Sequence, residues 1–557
     1  MISGARACIG AGAALLALAG LLPAQGPTSP AQIQIPIATP VAPPEILAGV
    51  LSSAGAPPTA LPNPALASQT APALGPLEAS VGEDSPLKAE VARLVREALA
   101  EQQKSASLVE PLPPVAEPKP AAASVLVPEP YVVGSDTALK AVWNHGWEVQ
   151  SANKDFRVHV GGRTHFDGGW FSADDAVQFG PRGIGALDDS VNMRRGRLRV
   201  DGTMYEVIDW AAEYDFVSHL VGAANPSVPA PAPTDLWVTF THLPWVGNFR
   251  VGNQKDPIEL EHLTSSRWLD FMERSPMFDA FYGRFTNGFV PGLQLFNCTE
   301  NERATWAVGV FKNTTNPFGF GVGDGDYMIE GRGTVLPIYD ADGRYLWHLG
   351  LSGSHRDLLD GQTRFVARGS VRNGPPGPFN AVFADTGFIK AESTNIVNAE
   401  NLVIWGPWTV QAEYSAVWVT DAAYPAGGAG TPLGTVYFQG TYVEALYFLT
   451  GENRPYNRKT GVVDRIIPYE NFAFVKGTKG PLFSRGAWQV GARYAMLDLN
   501  NAGIVGGLLH DYTLGLNWLL NPNMKFQWNY VFTHRDVGNL GSSGDVHAFG
   551  MRMAMDF

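Results

Sequence analysis

The last fourteen residues of the chain, GDVHAFGMRMAMDF (544–557), alternate to the final position. Phe549, Met551, Met553, Met555 and Phe557 make one apolar face. His547, Arg552 and Asp556 are read onto the other, with Ala554 between the two charges. A period of two is the signature of a strand whose faces meet different surroundings. A strand that runs to an aromatic end has no room for a cap or tail. It is expected to close against the first strand of its own sheet, and such closure leaves no free edge.

The same alternation recurs from about residue 155 onward. In 524–534, Phe526, Trp528, Tyr530 and Phe532 alternate with Lys525, Gln527, Asn529 and Thr533. Segments 511–520, 488–496 and 408–418 repeat it, and Asn521-Pro522-Asn523 supplies a tight turn between two of them. Large aromatics sit toward the ends of the apolar faces, where a lipid-interface girdle belongs. Connections alternate in length: 406–408 and 521–523 are short, whereas 218–233, 313–343, 373–386 and 450–484 are long and are expected to be external loops. Outside the N-terminus no apolar run reaches 18 residues, so helical spans are excluded. With 61 glycines, 11% aromatics and only 17% charged residues, the expectation is an all-β fold. It is an antiparallel transmembrane barrel of about 16 strands over 151–557, wide enough for a water-filled lumen.

The N-terminal part reads differently. Residues 1–25 carry Arg6, an apolar core from Ile9 to Leu22 and a small-residue site near Ala24, as a cleaved secretory signal does. Residues 27–130 hold 20 of the 42 prolines and no Trp, Tyr or Phe. Such a composition cannot bury enough apolar surface to offset ordering. Segment 26–84 is therefore read as Pro/Ala-rich disordered linker, and 106–150 as further linker. Between them, 85–105 has a Ser85-Pro86 start and Leu87, Val91, Leu94 and Ala98 at 4-3-4 spacing. This predicts one short helix, either a coiled-coil stalk or a solvated helix that never associates.

Chemistry is sparse. The net charge of −13 speaks against a nucleic-acid partner. Cys8 falls in the signal, which leaves Cys298 alone and no disulfide or Cys-based metal framework. No catalytic constellation, HExxH or phosphate-cradling loop appears, so neither an enzyme nor a cofactor is expected. Arginine is what stands out. Arg195, Arg197 and Arg199 share one strand face, and in 156–166 so do Arg157, His159, Arg163 and His165. Guanidinium groups facing lipid are costly, so these belong in the lumen, ~7 Å apart along the wall. A row of fixed positive charges passes an anion from one partner to the next. Glu213, Asp215 and Glu413 also read inward, so pairing of Arg195 and Arg199 with Glu213 and Asp215 stays open as the alternative.

Several segments together resemble the phosphate-selective porin family of Gram-negative outer membranes. They are FRVHVGGRTHFDGGWF (156–171), MRRGRLRVDGTMYEVIDWAAEYDF (193–216) and VGNQKDPIELEHLTSSRWLDFMERS (251–275). VQAEY (410–414), TGENRPYN (450–457), GAWQVGARYAMLDLN (486–500) and TLGLNWLLNPN (513–523) continue the likeness. The resemblance implies a homotrimer of 16-stranded barrels, each narrowed by an inward loop, that passes phosphate or polyphosphate. It places that loop at about 256–288, with Lys255 just before it and Arg267 and Arg274 on it. The loop also carries Asp256, Glu259, Glu261, Asp270, Glu273 and Asp279, an acidic balance that departs from a simple anion filter. The expected function is an integral bacterial outer-membrane porin for small hydrophilic solutes, anion-preferring and open to phosphate. Two alternatives remain: a non-selective or sugar-permeable pore, and a structural protein contacting peptidoglycan through its N-terminal segment.

Overall fold

A computed structural model describes Arg93, Arg96, Glu97 and Ala100, and residues 132–557 except 218, 221–227, 230, 284–287, 315–320, 322–323, 359–360, 373, 375–379, 429 and 478–479. The chain forms two compact units, Met1–Ala123 and Ser124–Phe557. In the first, the four described residues are helical, and Arg93 pairs with Glu97 one turn on at 2.9 Å. The expected signal, the 26–84 linker and the rest of the 85–105 helix lie outside the described residues.

The second unit opens with a hairpin, β1 (Leu139–Trp143) and β2 (Trp147–Ser151), inside the segment read above as linker. Sixteen further strands build the wall. The first eight are β3 (Arg157–Ala173), β4 (Ser190–Met204), β5 (Ile208–Asp215), β6 (Ala232–Leu243), β7 (Gly247–Lys255), β8 (Phe289–Cys298), β9 (Ala304–Lys312) and β10 (Tyr327–Asp340). The second eight are β11 (Tyr345–Asp357), β12 (Ser393–Trp405), β13 (Trp408–Tyr424), β14 (Thr431–Phe448), β15 (Ala487–Asn501), β16 (Ile504–Asn521), β17 (Met524–Asp536) and β18 (Gly544–Asp556). Each pairs antiparallel with its sequence neighbour, and β18 pairs with β3 from Val546↔Ala173 to Asp556↔Arg163. The sheet is therefore a closed 16-stranded barrel.

Closure reaches the last residue. Gly162 N–H donates to the Phe557 carbonyl at 2.7 Å, and Phe557 N–H donates back to Gly162 at 3.1 Å. The Gly161-Gly162 pair makes this approach possible, because a Cβ on Gly161 would lie 2.4 Å from the Phe557 carbonyl oxygen. Below that point β2 takes over the same edge of β3, pairing Trp147–Gln150 with Val160–Arg157.

The two faces separate as the alternation requires. Phe166, Trp170, Leu514, Tyr530, Phe549, Met551 and Met555 are exposed outward, while Asn517, Gln527 and Arg552 are buried inward. Outer aromatics pair across strands near the rims, as in Trp408–Tyr447 at 4.5 Å and Trp170–Phe549 at 5.7 Å. One residue departs from the sequence reading. His547 shares the outer face with Phe549, since both are odd-numbered positions, and its Nδ1 lies 2.8 Å from the Tyr530 hydroxyl.

Connections at the end carrying β18's terminus are mostly short: 205–207, 244–246, 299–303, 341–344, 406–407 and 522–523. Two expected loops are corrected. Part of 313–343 is strand β10. Segment 450–484 joins β14 to β15 at the short-turn end, not the long-loop end. Its Gly/Pro content marks a connection without saying which rim carries it.

Candidate functional site

Three of the described connections that fold into the lumen shape the site. The first, 256–288, crosses the lumen from β7. It holds two short helices, α1 (Leu260–Leu263) and α2 (Pro276–Phe281). Glu413 on β13 accepts the N–H groups of Leu260 and Glu261, both at 2.8 Å. At the other end of α1, Arg274 donates to the carbonyls of Glu261 and Thr264 at 2.7 and 2.6 Å, and Lys255 donates to those of His262 and Thr264. A carboxylate at a helix start and cations at its end match the orphan backbone groups there. α2 starts at Ser275, whose hydroxyl accepts the Phe278 N–H, with Pro276 following.

The second connection, 358–392, folds over α2. Arg368 forks Asp279 at 2.9 and 2.5 Å, and Arg372 reaches the same carboxylate at 3.3 Å. Phe278, Phe281, Phe365 and Phe383 then pack on Val417, Phe438 and Leu497 of the wall, which fills that side of the lumen. The third is the turn-end segment 449–486. Arg454 bridges Gln411 at 2.8 Å and pairs with Asp270. The Tyr456 hydroxyl meets His348 at 2.7 Å, and Arg332 donates to the Gly461 carbonyl at 2.8 Å.

A chamber of about 420 Å³ stays open against the inner wall of β3–β10. Its lining holds eight arginines, two lysines and a single carboxylate, Asp235. Seven of the eight expected residues border it: Arg163, Arg195, Arg197, Arg199, Lys255, Arg267 and Arg274. Arg157 does not. It lies toward the terminal end of the wall, paired with Glu148 at 3.2 Å and Asp201 at 2.8 Å.

Most of these cations have carboxylate partners behind them, though not the pairs anticipated. Arg197, rather than Arg195 or Arg199, takes Glu213 and Asp215, at 3.1 and 2.7 Å. Arg163 shares Glu213 at 2.6 Å and donates to Ser266 at 2.7 Å. Arg199 pairs with Asp201 and Asp235. Arg195 donates to His165 at 3.2 Å and stands 3.7 Å from Glu273.

The acidic surplus of the loop is spent elsewhere. Glu273 is forked by Arg194 at 2.9 Å and touched by Arg552 at 2.8 Å, Glu261 pairs with Arg493, and Asp256 with His262. None of the six loop acids borders the chamber. Burial alone would raise Glu273 and Asp279, but the arginines around them outweigh it and hold both below the usual carboxylate range. Glu259 is the opposite case. Burial, then the neighbouring Glu413 and Glu261, keep its carboxyl well above that range.

The sequence reading missed Arg250, Arg332 and Lys459, which also line the chamber. Arg250 and Arg332 were within its reach, since each alternates with outward apolar residues on its strand. Arg194 was not. A bulge between the pairs His165–Arg195 and Phe166–Met193 turns it inward beside Arg195.

The family description "Phosphate-selective porin O and P" matches residues 158–557. Porin O of Pseudomonas aeruginosa is 26% identical over 452 residues, covering 76% of this chain and 93% of that protein. An uncharacterized protein of Caulobacter vibrioides is 26% identical over 465 residues, covering 80% and 83%. Among solved structures, the outer-membrane channel DcaP of Acinetobacter baumannii aligns with a TM-score of 0.43 at 12% identity, covering 73% of this chain and 99% of that one. An anion-selective porin from Comamonas acidovorans aligns with a TM-score of 0.41 at 11% identity, covering 72% and 100%.

Proposed function

The chain belongs to the phosphate-selective porin O and P family and is an integral outer-membrane porin, and we propose that it is an anion-preferring diffusion channel whose selectivity resides in the arginine-lined chamber. The observation that carries this reading is the lining itself, ten cationic side chains against one carboxylate. A solute in the chamber meets the guanidinium and ammonium groups directly. Apart from Asp235, which pairs with Arg199 at the chamber, the acids that compensate them do not line it. An anion there exchanges water for planar forks that fit carboxylate and phosphate oxygens. Several closely spaced partners leave no single deep trap. We read phosphate as one of the permeant anions and the working assembly as a homotrimer.

The deciding measurement is the reversal potential of the purified channel in a planar bilayer under a KCl gradient. Chloride preference is expected, and potassium preference would overturn the reading. Arg197→Ser sharpens the test. It removes a chamber charge and leaves Glu213 and Asp215 without their shared partner. The chloride-to-potassium ratio should fall on the order of tenfold, since one unit charge at this range in a partly desolvated lumen is worth more than 1 kcal/mol. An unchanged ratio would remove the wall row from the mechanism.

A further inference from the structure

One cation of the chamber is held unlike the others. Arg250 on β7 has Thr239 of β6 and Gln294 of β8 as its lateral neighbours in register. Its guanidinium carbon lies 3.9 Å from the Trp237 ring centroid and 4.9 Å from that of Phe296, so it is stacked against two aromatic faces. Its Nε donates to the Thr239 hydroxyl at 2.8 Å, and no carboxylate pairs with it among the described residues. Beside it, the amide oxygen of Gln294 is buried with no hydrogen-bond partner among those residues. Trp237, Phe296, Gln294 and Arg250 all border the open chamber.

Stacking fixes the plane of the guanidinium and leaves its edge donors for the lumen. The aromatic walls offer nothing to a small, strongly hydrated inorganic anion, which gains most from dense charge. An oxyanion attached to a flat apolar body uses both parts. Its carboxylate takes the fork, and its body displaces water from the two rings. The geometry points to a station for organic carboxylates with an aromatic body, built from Arg250, Trp237 and Phe296. This inference rests on the anion reading above and adds to it a preferred class of solute.

The test uses the full-length channel in planar bilayers at pH 7, with benzoate and acetate titrated against the chloride current. The two share a head group and differ in the ring. Benzoate should half-block at a concentration at least tenfold below acetate. Trp237→Leu and Phe296→Leu should each bring the two concentrations together, and Arg250→Met should raise both. Equal block by benzoate and acetate in the unmodified channel overturns the inference. So does a ratio that survives both ring substitutions. Each variant is scored only as a heat-modifiable barrel. If Trp237→Leu does not fold, Phe296→Leu and Arg250→Met decide the matter. The reversal potential separates the two readings. A cation-selective channel overturns the anion proposal and this one with it, whereas an anion-selective channel indifferent to the ring overturns this one alone.

Discussion

Arg552 shows how a single side chain ties the wall to what fills it. It is fully buried and forks Asp167 of β3 at 2.7 and 2.6 Å. It also touches Glu273 at 2.8 Å and donates to the Met272 carbonyl. Strand closure and loop docking therefore share one guanidinium. Removing one partner of a buried ion pair strands the others, at a cost of about 3–5 kcal/mol. Arg552→Met should lower unfolding stability by roughly that amount in a denaturant titration, and Arg552→Lys should recover only part of it because the fork is lost. The loop carboxylates make a second prediction with a definite sign. Glu273 and Asp279 are held below their ordinary values by arginines, against the effect of burial. Their contribution to docking is complete above the ordinary carboxylate range of about 4 and is lost as pH falls through the lower folded values. Protection of the amides in 256–288, measured against their intrinsic exchange rates, should therefore begin to fall below about pH 4. Glu273→Gln should show faster exchange already at pH 7 and a weaker acid response.

At the scale of elements, alternation made the strands legible because lipid and lumen impose opposite demands on the two faces of a wall. The wall arginines were legible for the same reason, and Arg163, Arg195, Arg197 and Arg199 border one chamber, whereas Lys255, Arg267 and Arg274 were placed only by the family resemblance. Loops that fold inward carry no such signal, since a polar lumen and bulk water select similar residues. That is why 450–484 read as an external loop. Only counting strands places it, because β14 delivers the chain to the short-turn end. Its inward course also depends on contacts far apart in sequence, such as Arg454 with Asp270 and Arg332 with the Gly461 carbonyl. The segment narrows the lumen from the end opposite to that of loop 358–392. Replacing 453–466 with a short Gly-Ser turn should raise single-channel conductance about twofold or more, because conductance follows the open cross-section. Unchanged conductance would place the segment outside the ion path.

For the whole molecule, a closed sheet uses every strand edge, so the barrel needs no partner to complete its backbone pairing. Its interior is held by ion pairs and loop packing that belong to Ser124–Phe557. Folding of that unit should then be independent of the N-terminal unit, whereas assembly between copies is a separate matter. The 4-3-4 spacing of Leu87, Val91, Leu94 and Ala98 gives a seam little more than two heptads long, too short for a stable helix alone. Such a seam contributes to assembly only where barrels are already brought together in the membrane, by raising effective concentration. Deleting 26–130 while keeping the expected export segment 1–25 separates the two roles. The shortened protein should still insert as a heat-modifiable barrel with the same single-channel conductance and chloride preference. On a native gel in mild detergent, an unchanged oligomer would assign assembly to the barrel wall. An oligomer that dissociates at lower detergent or temperature than that of the full chain would assign part of it to the expected helix, and restoring 85–105 alone should then bring it back.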